Sequence, residues 1–110
     1  MDIDKETERQ IAELQILEQN LQNILMQKQA FQLELSETEN ALEEIKKAEG
    51  EIYRIVGQIM IKSKKEQIEK ELVQKQQLIS ARIKSFDNSE RNLSKTTEEL
   101  RLKVMGKIKK

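Results

Sequence analysis

The sequence predicts an α-dominated fold: a long antiparallel coiled-coil hairpin of two helices, with a short β-hairpin at its centre. Three observations lead there. Proline is absent and there are 3 glycines among 110 residues, while Glu, Lys, Gln, Leu and Ile dominate, which is the makeup of long helices. Leu and Ile recur at alternating spacings of three and four on either side of a stretch where that period stops and β-branched residues take over. Finally, 36% of the residues are hydrophobic and 3% aromatic against 36% charged. That is too little apolar matter for a thick core, so the apolar residues must lie in a thin seam. A disordered chain of this composition would lack the periodicity. Residues 1–110 therefore read as one domain, with a first helix over about 4–49, a β-hairpin over 51–62 and a second helix over 64–108.

In the first arm Leu14, Leu17, Leu21, Ile24, Phe31, Leu35, Leu42 and Ile45 hold the a and d positions of a heptad pattern, interrupted only by Lys28 and Thr38. Such a pattern underwinds two helices into a supercoiled seam. Upstream, Thr7 and Gln10 occupy the equivalent slots, so the seam weakens toward the N-terminus.

Between the arms, Gly50 is placed to close a helix C-terminus in the left-handed conformation. Ile52, Tyr53, Ile55 and Val56 precede Gly57, and Ile59, Met60 and Ile61 follow it. This reads as two strands around a turn, with an interrupted helix as the alternative. Ser63 with Glu66 three residues on matches a capping box that restarts a helix at Lys64. A lone ribbon of two strands is marginal in water, and this one is apolar on both faces with unpaired edges, so it calls for strands from other chains.

The second arm repeats Leu72, Ile79, Phe86, Leu93 and Leu100 at intervals of seven. Counting on from Ile68, its companion row reads Lys75, Arg82, Ser89, Thr96 and Lys103, a polar seam with Ile83 and Val104 beside it. Packing should then be loose, with lysine and arginine stems lying along the seam. Each arm, at about 45 residues, spans roughly 67 Å at helical rise.

The net charge of zero conceals a split. Residues 1–50 carry 5 basic and 12 acidic side chains, a net of −7, and residues 51–110 carry 15 basic and 8 acidic, a net of +7. Two such arms attract when folded side by side and repel their own kind in a parallel homodimer.

Catalysis is not expected. Cysteine and histidine are both missing, which removes disulfides, thiol chemistry, the usual zinc ligands and the commonest general base. Glu43–Glu44 and Glu98–Glu99 would sit on exposed helix faces without burial to shift their pKa values, and Gly50 and Gly57 are isolated rather than part of a phosphate loop. No cofactor or metal is expected. The lysines of the basic arm alternate with glutamates and lack an aromatic stacking platform, which argues against nucleic acid. No apolar run approaches the roughly 20 residues of a membrane span, and the acidic N-terminus is unlike a targeting peptide, so a soluble, cytoplasmic protein is expected.

At YRIVGQIMIK, residues 53–62, the sequence resembles the central hairpin of prefoldin, in particular the archaeal beta-type subunit. QKQAFQLELSETENALEEI at 27–45 resembles the acidic first helix of that family, and KSKKEQIEKEL at 62–72 the start of its second. The resemblance implies an ATP-independent holding chaperone. Its subunits, two alpha-type and four beta-type, join their hairpins into an intersubunit β-barrel from which coiled-coil tentacles project, hold unfolded proteins at their tips and pass them to a group II chaperonin. It implies oligomerisation through Ile52, Tyr53, Ile55, Val56, Gly57, Ile59, Met60 and Ile61. A plain coiled-coil scaffold or tether is the alternative.

The client-facing tips are expected where apolar residues and seam slots fall out of step. Ile3, Ile11 and Leu14 lie near the N-terminus, and Leu102, Val104, Met105 and Ile108 crowd an end that contains Gly106. An antiparallel hairpin brings both groups to the same end.

Overall fold

The computed structural model describes residues 4–108. Helix α1 spans Lys5–Lys47, strands β1 and β2 span Ile52–Val56 and Ile59–Ser63, and helix α2 spans Lys65–Ile108. The chain divides into two compact units. One is formed by its two ends, through Gln29 and from Lys84 onward, and the other by Ala30–Ile83.

Helix α1 begins on a side-chain cap. The Asp4 carboxylate Oδ1 accepts the Thr7 backbone N–H at 2.7 Å, satisfying one of the donors that a helix start leaves open. Hydrogen bonding by the Thr7 side chain first, then by this backbone N–H, holds the Asp4 carboxyl below the usual carboxylate range. At its other end α1 stops at Lys47 rather than 49. Ala48 N–H closes a tighter turn onto the Ile45 carbonyl, and the Lys65 ammonium donates to the carbonyls of Lys46 at 3.1 Å and Ala48 at 3.3 Å. A lysine from the first turn of α2 thus caps the negative end of α1. Gly50, at φ +86°, turns the chain only beyond that end.

Within each unit the helices run antiparallel. In the unit of the two ends, Glu6, Glu18 and Lys28 meet Lys107, Arg101 and Glu90 in turn; in the other, Glu34 meets Lys75 while the α1 terminus meets Lys65. The acidic first arm thus meets the basic second in ion pairs in both, through Glu6, Glu18 and Glu34, while Lys28 with Glu90 has the opposite sense.

The α1 seam falls where its heptads place it. Leu42 and Ile45 are buried, Leu14, Leu17, Leu21, Ile24, Phe31 and Leu35 are half-buried, and the slots held by Thr7 and Thr38 are buried as well. Thr38 donates its hydroxyl to the Glu34 carbonyl one turn back at 2.8 Å, so no polar atom is left orphaned.

The α2 seam departs from expectation by one residue. Ile79 is buried and Leu72, Phe86, Leu93 and Leu100 are half-buried as anticipated, but Lys75, Arg82, Ser89, Thr96 and Lys103 are all exposed. Their places are taken by Gln76, Ile83, Glu90, Thr97 and Val104. The row of every seventh residue is compatible with a companion three or four positions on. Shifting by one puts Ile83 and Val104 inside and leaves three cations in water. Thr97, 2% exposed, donates its hydroxyl to the Leu93 carbonyl at 2.7 Å.

Candidate interaction surfaces

The two strands pair antiparallel, from Ile52 opposite Ser63 to Val56 opposite Ile59. Gly57 takes φ +63° and among the described residues no non-glycine has positive φ, so the two-residue loop Gly57-Gln58 has the pattern of a type II′ turn, whose twist matches that of the strands. Ser63 lies in the ladder instead of capping α2. Its hydroxyl donates to the Ile61 carbonyl and the helix starts at Lys65, so the capping box is not formed. A strand residue keeps its extended backbone, and pairing with Ile52 outweighs the local capping signal.

Opposed residues share a face. Tyr53, Ile55, Met60 and Lys62 stand on one side of the ribbon, and Ile52, Arg54, Val56, Ile59, Ile61 and Ser63 on the other. Ile55 is 71% exposed, Ile59 65% and Met60 64%, and Tyr53, Val56 and Ile61 are also largely exposed, whereas Ile52 is half-buried. The ribbon is therefore apolar on both faces and open along both edges.

Charged groups brace its base. Glu51 accepts from the Tyr53 hydroxyl and from Lys62 at 3.2 Å; the Tyr53 bond first, then Lys62, holds the Glu51 carboxyl below its ordinary range, and the same bond raises the Tyr53 phenol. Arg54 pairs with Glu71, tying β1 to the second turn of α2. These contacts orient the ribbon and leave its apolar side chains uncovered.

A second surface lies in the unit of the two chain ends. Leu102, Met105 and Ile108 are exposed, Ile11 and Leu14 are half-buried, and Val104 is buried in the seam at 4% exposure. Val104 thus packs where a client-facing position was expected, because it belongs to the shifted companion row. Ile3 lies outside the described residues. Lys107 bonds to Gln10 at 3.2 Å and approaches Glu6 at 3.8 Å, fastening the last turns of α2 to the first of α1.

Sequence reasoning did not find the ion cluster of the seam. Lys28, less exposed than most charged residues here, bonds Asp87 at 2.5 Å and Glu90 at 2.9 Å. The signal available was that Lys28 is the only charge between Glu18 and Glu34 and stands in a seam slot. Among the described residues no three His, Cys, Asp or Glu side chains gather in a way that could hold a metal, and no helix is long and apolar enough to cross a membrane.

The sequence profile of the family described as Prefoldin subunit matches residues 8–110. Prefoldin subunit beta of Archaeoglobus fulgidus is 37% identical over 98 residues, covering 87% of this chain and 84% of that protein. Prefoldin subunit beta of Thermococcus onnurineus is 32% identical over 109 residues, 97% of this chain and 94% of that one. The crystal structure of the prefoldin beta subunit from Thermococcus strain KS-1 superposes with a TM-score of 0.87 at 28% identity, covering 96% of this chain and 94% of that chain.

Proposed function

The chain belongs to the prefoldin subunit family, and from that premise we propose that it is the beta-type subunit of an ATP-independent holding chaperone. Its ribbon joins those of other beta-type subunits and of an alpha-type partner in an intersubunit β-barrel, in a hexamer of two alpha-type and four beta-type chains. The helix ends hold unfolded proteins in the cytoplasm and deliver them to a group II chaperonin. Binding alone does the work; no nucleotide, metal or covalent step is involved.

The observation that carries this reading is the ribbon, where Tyr53, Ile55, Val56, Ile59, Met60 and Ile61 are all exposed on a two-stranded sheet. At roughly 25 cal/mol per Å² of apolar surface, leaving six such side chains in water forgoes several kcal/mol that strand addition recovers. Leu102, Met105 and Ile108 supply a separate exposed apolar set, and weak contacts at several helix ends acting on one unfolded chain add through avidity.

The test is suppression of aggregation of a denatured test protein by the complex co-expressed with an alpha-type subunit, without ATP. Suppression at near-stoichiometric amounts supports the reading. A complex of native mass that leaves aggregation unchanged would favour a structural scaffold instead.

A further inference from the structure

We propose that the outward face of α1 around Met26 is a second client-binding surface, separate from the helix ends, which takes extended, uncharged stretches of unfolded polypeptide. This rests on the holding-chaperone reading and adds a site to it.

The sequence carries 36% charged residues, yet Gln19 to Gln29 contains one, Lys28, and its ammonium is turned into the seam onto Asp87 and Glu90. That charge is thereby paired at the seam instead of standing on the outward face. Of the residues that α1 exposes over this stretch, Gln19, Gln22, Asn23, Met26 and Gln29 are spaced by three, four and seven, hence on one face. Met26 is 64% exposed, with Leu25 beside it at 38%. On an ordinary coiled coil the positions opposite the seam carry glutamates and lysines. Here they carry amides and a methionine.

Each property of that face suits an unfolded chain. An uncharged surface repels clients of neither sign, and depletion of charge together with methionine marks the cores of interfaces. A glutamine amide both donates and accepts, matching the N–H and C=O that an extended backbone presents on either side. Methionine adapts to whatever apolar side chain arrives. A folded helix is a poorer occupant, because a stable helix pair needs two apolar rows over several heptads and between Gln19 and Gln29 this face has one methionine flanked by amides. The helix-end surface differs in charge: Leu102 and Met105 lie among Arg101, Lys103 and Lys107. Capture there should weaken with salt, and capture at Met26 should not.

The experiment places a photocrosslinking benzoylphenylalanine at Met26, or at Met105, in the co-expressed complex of verified native mass and adds a denatured test protein before irradiation. The expected result is client adducts from both positions, those from Met26 persisting at high salt. Adducts from Met105 alone would overturn the Met26 surface while leaving the chaperone reading intact. Met26 adducts to another subunit would make the face a subunit contact and overturn the proposal too. No adduct from either position, with no suppression of aggregation, would overturn the chaperone reading and this proposal together. As a second measure, Met26→Glu with Gln22→Glu is expected to raise severalfold the concentration needed for half-suppression at unchanged native mass. Unchanged suppression by that variant would also overturn the proposal.

Discussion

Lys28 of α1 and Glu90 of α2, 62 residues apart in sequence, form a 2.9 Å ion pair between two seam positions. Asp87 completes the cluster from the preceding turn. The acidic arm places one cation where the basic arm places two anions, the reverse of the global charge split. An apolar seam is indifferent to sliding by a heptad, and a single polar layer is not. This pair therefore sets which turns of the two helices face each other in their unit.

The pair has a pH signature. Asp87 first, then Glu90, raises the Lys28 ammonium above its ordinary pKa. A group raised on folding contributes stability that is complete below the unfolded value of about 10.4 and is lost as pH rises through the folded value. The urea midpoint should fall more steeply above about pH 10.5 in the wild type than in Asp87→Asn/Glu90→Gln. Parallel curves for the two proteins would remove Lys28 from the account.

Seam substitutions should separate by chemistry. Leu42→Ala removes a side chain that is 6% exposed and should cost about 2–4 kcal/mol in chemical denaturation. Thr38→Val, equally buried, should fall within about 1 kcal/mol of wild type, because its hydroxyl bonds only to a carbonyl of its own helix.

Gly57 is needed for its backbone. A Cβ there would meet open space, but φ +63° costs an L-residue roughly 1–2 kcal/mol. Gly57→Ala should lower the thermal midpoint of the assembled complex while leaving helicity unchanged by circular dichroism. Gly106→Ala, in a helix with open space beside it, should slightly raise helix stability.

Salt should act through the arms. Apart from the Lys28 cluster, the pairs between them, Glu34 with Lys75, Glu18 with Arg101 and Glu6 with Lys107, join side chains that are about half exposed. Each is worth a fraction of a kcal/mol and is screened over about 10 Å at 0.1 M salt. Thermal stability should decline modestly between low and moderate sodium chloride; a steady rise there would count against pairing between the arms.

How far these features could be read in advance varied with the residues. The α1 seam was legible because both of its rows are apolar, and the ribbon because Ile52 to Ile61 abandons the helical period for β-branched residues around a glycine. In α2 one row was legible, but its companion slots are all polar on one reading and mixed on the other, and only packing against α1 chooses Gln76 and Thr97 over Lys75 and Thr96. Ser63 carried a correct local capping signal that strand pairing with Ile52 overrode. Lys28 was visible as a break in the heptads. Its partners, 59 and 62 positions downstream, were not, since nothing local ties them to it. Val104 looked like a tip residue only while the companion row was placed one position too early.

The central claim, that the apolar ribbon makes this chain an assembly subunit, is tested most directly by native mass spectrometry of the chain co-expressed with an alpha-type subunit, as wild type and as Ile55→Lys/Ile59→Lys. The account predicts a hexamer of two alpha-type and four beta-type chains for the wild type, and its dissociation in the variant with helicity largely retained. An unchanged hexamer in the variant, or a wild-type chain that stays monomeric beside its partner, would contradict it.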